Sequence, residues 1–67
     1  MEISLRNQLK GTVNDVKLGS IMAAVTVDVG GQEVIPASTR GSVEHLGLQP
    51  GDAVTVMIKS TEVMLGK

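Results

Sequence analysis

Two short polar clusters lie near opposite ends of this 67-residue sequence: Ser4-Leu5-Arg6-Asn7-Gln8 and Lys59-Ser60-Thr61. Together they offer two cations with several hydroxyls and amides, a donor set suited to a small anion. On an extended strand Ser4, Arg6 and Gln8 share one edge, while Ile3, Leu5 and Leu9 take the other. Thr39 and Ser42 flank Arg40-Gly41 where a short helix should begin, a place where backbone amides favour anions. Each residue also has a plainer reading. Arg6 can lay its stem over apolar surface, Lys59 can be a charged strand terminus, and Thr39 and Ser42 can simply cap the helix. Spacing alone does not name the anion.

Other chemistries find little support. The sequence has no cysteine and one histidine, His45. That excludes disulfides, thiolate metal sites and any multi-histidine site within one chain. Asp15, Asp28, Glu33, Glu44, Asp52 and Glu62 are scattered, mostly beside turns, and read as solvating charges. Gly30-Gly31 lacks the lysine-serine ending and following helix of a phosphate loop. No nucleophile–base pair is apparent, so no enzyme activity is expected.

The formal net charge of -1 and the absence of Phe, Tyr and Trp argue against nucleic acid, which calls for basic patches and stacking rings. No run of 18 apolar residues suggests a membrane span. The N-terminus lacks a basic region followed by an apolar one, so cytoplasmic residence is expected. A chain this short buries only about 60% of its unfolded surface, against a large entropic cost of ordering. Without disulfides or metals, self-association is the remaining stabilising device. Only 19% of residues are charged, against a usual share of about 25%, which fits a surface partly hidden in contacts.

The elements that must position these residues are mostly strands. Ten valines favour β structure. Residues 3–17 read as a long strand, bent at Gly11 or near Asn14-Asp15, where a turn is the alternative. Ile21, Ala23, Val25, Val27 and Val29 alternate with Met22, Ala24, Thr26 and Asp28, the clearest strand pattern. Gly30-Gly31 predicts a tight hairpin, and residues 32–37 the returning strand, with Pro36 at an edge or bulge. A short helix over 39–46 should end at Gly47, with Val43 and Leu46 on one side. Gln49-Pro50-Gly51-Asp52 fits a type II turn. Residues 53–59 and 61–65 read as two further strands. The expectation is a single all-β domain over residues 1–67: a five-stranded oligonucleotide-binding-like barrel with one helix between strands three and four. Periodicity alone fits a small open sandwich equally.

The segment Ser4-Leu5-Arg6-Asn7-Gln8-Leu9-Lys10-Gly11 resembles the N-terminal signature of the molbindins, the small molybdenum-pterin-binding or Mop proteins. Lys59-Ser60-Thr61-Glu62-Val63-Met64 resembles their C-terminal signature. Residues 42–48, with Glu44, Leu46 and Gly47, resemble the family's helix and its exit. The resemblance covers essentially the whole chain.

The resemblance implies an oligonucleotide-binding-like barrel that binds molybdate or tungstate, with no redox cofactor and no metal cation. It implies a homo-hexamer, a trimer of dimers, with oxyanions held between subunits. Ser4 and Arg6 of one chain would face Thr39, Ser42, Lys59 and Ser60 of its neighbour, with the Ile58 backbone nearby. No DNA-binding or ATPase segment accompanies the domain, which leaves storage or buffering of the anion. A structural or regulatory module with a degenerate anion site is the alternative. The family's pterin name finds no aromatic here to stack on a pterin ring. Two positions depart from the family pattern: Leu5 stands where a small residue is common, and Ile35-Pro36-Ala37 replaces a more polar stretch before Thr39.

Overall fold

The longest element is β1, Asn7–Leu18, in a computed structural model that describes residues 6–67. Two features let so long a strand serve two neighbours. Its first half pairs with β5, Ala53–Ile58, from Asn7↔Ile58 to Thr12↔Ala53. Its second half pairs with β2, Met22–Val29, from Thr12↔Asp28 to Leu18↔Ala23. At Gly11 the strands approach closely: a Cβ there would lie 2.6 Å from the Asp28 carbonyl oxygen and 2.7 Å from Val27 Cγ1. Glycine is what admits that approach. The register then slips between Val13 and Asp15, so Asn14 is the extra residue of a β-bulge and not a turn. The bulge reverses the inward parity, from buried Val13 to half-buried Val16.

Gly30 and Gly31, at φ 58° and 89°, form the tight turn from β2 to β3, Gln32–Val34. Two positive φ angles are what a type I′ hairpin needs, and only glycine takes both cheaply. The Gly31 N–H donates to Asp28 Oδ1 at 3.2 Å. Residues 32–37 do not form the single strand expected. Ile35-Pro36 interrupts them, because proline has no N–H for the ladder, and pairing resumes as β4, Ala37–Thr39, still against β2. Helix α1, Arg40–Leu46, follows at once, and Gly47 at φ 64° ends it. The type II turn is present: Gly51 has φ 95°, and the Asp52 N–H donates to the Gln49 carbonyl at 3.1 Å. The turn is also tied to β1, since Gly51 N–H donates to Val13 O at 2.8 Å and Val13 N–H to Asp52 O at 2.9 Å.

The barrel expectation is corrected. The five strands form one antiparallel sheet in the order β3-β2-β1-β5, with β4 also on β2. No pairing joins β5 to β3 or β4, so the sheet is not closed. Residues 61–65 are not the expected closing strand: Ser60–Glu62 is a turn of 3-10 helix, and residues 63–67 have no regular structure. The fifth strand comes instead from the proline break, and the helix lies between β4 and β5.

The core is small and aliphatic: Val13, Ala23, Val25, Val27, Val43 and Val56 are buried. The alternation expected for β2 and β5 holds, with Ala23, Val25 and Val27 inward from one strand and Val54, Val56 and Ile58 from the other. Two residues that share a face with core positions stay outside the core. Ile21 precedes β2 and is 74% exposed, and Leu46 is 69% exposed despite its spacing from Val43. Met64 and Leu65 are almost fully exposed as well.

Candidate functional site

Antiparallel register assembles the first group. Arg6 immediately precedes the Asn7↔Ile58 pair and Lys59 immediately follows it, so one chain brings both cations to the same end of the β1–β5 ladder. Ser60 opens the 3-10 turn directly after Lys59, a turn closed by the Glu62 N–H donating to the Lys59 carbonyl at 2.9 Å. Arg6, Lys59 and Ser60 are exposed and Ile58 is half-buried. Among the described residues neither Arg6 nor Lys59 forms an ion pair, and the one pair present is Arg40–Glu44. Two like charges brought together without a counter-charge repel weakly in water. An anion placed between them is attracted by both. Ser4 lies outside the described residues.

The second group sits at the start of α1. The Thr39 side chain caps the helix by accepting the Ser42 backbone N–H at 3.1 Å. Its own hydroxyl donates to Ser42 Oγ at 2.7 Å. Either hydroxyl can donate to the other, so the pair commits one proton between them and keeps one for an outside acceptor. The capping reading holds for Thr39; Ser42, inside the helix, supplies the capped N–H and does not cap with its own side chain. The two groups belong to different margins of the sheet, β4 with α1 on one side and the end of β5 on the other. No hydrogen bond or ion pair joins them among the described residues.

An open groove of about 480 Å³ separates these margins. Val13, Val25, Val27, Leu48, Val54 and Val56 are among its lining residues, and none of the described candidate oxyanion residues is. Its walls are mostly aliphatic, with Ser38 and Thr55 as the hydroxyl side chains and no cation among them. Among the described residues no three His, Asp or Glu side chains gather as a metal site, and no helix is long and apolar enough to cross a membrane.

One residue of this neighbourhood escaped the sequence reading. Arg40 donates through Nε to Glu44 Oε1 and through Nη1 to the Gly19 carbonyl at 3.2 Å, while its backbone N–H donates to Ile21 O at 2.7 Å. The four-residue spacing of Arg40 and Glu44 announced the first contact. The link to Gly19 depends on tertiary structure and had no local signal.

Comparison with known proteins places the whole chain. The TOBE domain family model matches residues 3–65. Molybdenum-pterin-binding protein 3 of Clostridium pasteurianum is 46% identical over 66 residues, covering 97% of each chain. The structure of a molybdate-binding protein from Sporomusa ovata superposes with a TM-score of 0.94 at 43% identity, covering 100% of both chains. The cytoplasmic molybdate-binding protein ModG, solved with molybdate bound, gives a TM-score of 0.83 at 38% identity, over 90% of this chain and 43% of that one. With near-complete coverage in sequence and in fold, this chain belongs to the molbindin family of small molybdenum-pterin-binding proteins, built on a TOBE domain.

Proposed function

We propose that this protein binds molybdate, and tungstate alike, as a non-catalytic store or buffer of the anion in the cytoplasm, working as one domain. The observation that carries the reading is the pair of cations, Arg6 and Lys59, at one end of the β1–β5 ladder, neither ion-paired among the described residues. Molybdate is a tetrahedral dianion with four acceptor oxygens. Two cations match its charge, and hydroxyls and amides fill the remaining acceptor positions. Ser4 and Arg6 of one chain, with Thr39, Ser42, Lys59, Ser60 and the Ile58 backbone of its neighbour, supply that set. Arg6 contributes a rigid fork of donors and Lys59 a point charge. A bare oxyanion suits these residues better than a pterin.

Assembly follows from the same placement. Arg6 and Lys59 share one end of each chain, so a two-fold pairing lets Arg6 of either chain meet Lys59 of the other reciprocally. Three such dimers make the proposed hexamer, and the exposed apolar residues supply contact surface. The ModG comparison covers 43% of that chain, so a unit like this one also occurs within a longer protein. The cytoplasmic assignment draws on the same relative.

Selectivity tests the reading. Tungstate should match molybdate, since shape and charge are nearly the same. Sulfate is smaller and makes poorer contacts in a site fixed by β-framework. Phosphate usually carries a proton near neutral pH, and an all-donor site gives that proton no acceptor. Calorimetric competition among the four anions reads this directly. Displacement of molybdate by equimolar sulfate or phosphate contradicts it.

A further inference from the structure

We infer that Arg40 is a positioning residue for the oxyanion site, holding the Thr39–Ser42 hydroxyl pair against the β1–β2 turn; this rests on the site reading above. Arg40 stands beside Thr39 and two residues before Ser42, yet its cation is turned away from an anion role. Its guanidinium spans two anchors, the Glu44 carboxylate one helical turn on and the Gly19 carbonyl in the turn that leaves β1. Its backbone N–H takes a third, Ile21 O. Thr39 is fixed from the same side, by pairing with Met22.

The turn is itself tight. Gly19 N–H donates to Met22 O at 2.7 Å, and a Cβ on Gly19 would lie 2.7 Å from that same oxygen. The arginine therefore ties the start of a seven-residue helix to a turn with little freedom. So short a helix has little stability of its own. Its first turn, which carries the Ser42 donor, depends on such ties. Only a planar fork reaches both anchors at once, so lysine should not substitute. The carboxylate of Glu44 neutralises Arg40 in place, leaving Arg6 and Lys59 as the cations presented to the ligand.

Four variants, titrated with sodium molybdate while melting and subunit mass are recorded, test this: Arg40→Ala, Arg40→Lys, Glu44→Gln and Arg6→Ala. Arg40→Ala should raise the molybdate Kd about three- to fivefold, the upper end for losing one exposed hydrogen-bonded ion pair. Arg40→Lys should fail to restore it. Glu44→Gln should weaken binding by about two- to threefold on the same scale, since it loosens one anchor. The sign of that last effect separates the roles: if Glu44→Gln tightens binding, Arg40 is a direct anion ligand freed from its carboxylate, and the positioning role is overturned. It is also overturned if Arg40→Ala or Arg40→Lys binds as wild type while Arg6→Ala loses molybdate. Arg6→Ala binding as wild type would instead overturn the site reading. Should Arg40→Ala fail to fold, Arg40→Lys and Glu44→Gln decide the matter.

Discussion

Replacing Gly11 by alanine should unfold much of this protein's margin of stability. The added methyl would sit 2.6 Å from the Asp28 carbonyl oxygen, 2.7 Å from Val27 Cγ1 and 3.0 Å from Val29 Cγ2. A side-chain tip can swing aside, but the carbonyl belongs to the β2 backbone and cannot. β1 must therefore lift from β2 beside buried Val13 and Val27. Overpacking of this kind costs about 1–3 kcal/mol, and a backbone neighbour favours the upper half of that range. A chain of this size holds only about 3–10 kcal/mol in total. At about 4–8 °C per kcal/mol for a domain of this length, a loss of about 2 kcal/mol lowers Tm by about 8–16 °C. Gly41→Ala is the control, because it lies within α1 and its Cβ meets nothing within 4 Å. It should stabilise by about 0.5–1 kcal/mol through helix propensity and a restricted unfolded chain. Thermal melts at equal protein concentration compare the two, since assembly makes Tm concentration-dependent. Gly11→Ala melting at or above the wild-type temperature would refute the close approach of β1 and β2.

Further outcomes follow from the site and the assembly. Ser42→Ala should weaken molybdate binding by about 0.5–2 kcal/mol while keeping the Thr39 cap, because the cap uses the Ser42 backbone N–H; equal loss of melting temperature and binding would make its role purely structural. Arg6→Lys should lose molybdate affinity although charge is retained, since a point charge replaces a fork; calorimetry showing unchanged affinity would contradict the bidentate role. Light scattering at micromolar concentration should find a stable hexamer, and a folded monomer with molybdate present would defeat the intersubunit site.

Much of the fold was legible because its signals are local. The Gly30-Gly31 hairpin, the Gly47 helix end and the Gly51 turn all rest on positive φ angles that the sequence advertises. The inward faces of β2 and β5 follow from strict alternation. What escaped depends on distant partners. Asn14 reads equally as turn or bulge until β2 supplies the register. The apolar residues Val63, Met64 and Leu65 look like a strand, yet among the described residues none pairs with them and Ser60–Glu62 forms a turn of 3-10 helix before them. Leu46 keeps helical spacing with Val43, but α1 packs mainly on β4 and β2 and leaves Leu46 uncovered. Of the site, Arg6 and Lys59 were legible from residue type and motif. Their placement at the same end of one ladder became visible only from the Asn7↔Ile58 pairing.

The molybdate affinity of Arg6→Ala, measured by calorimetry on protein whose mass shows the wild-type assembly, tests the central claim most directly. The account predicts a loss of about 2–5 kcal/mol, the scale of removing one partner from a desolvated charge contact, with assembly retained through the aliphatic contacts. Unchanged affinity in a fully assembled Arg6→Ala would contradict it and place any bound anion elsewhere in the assembly.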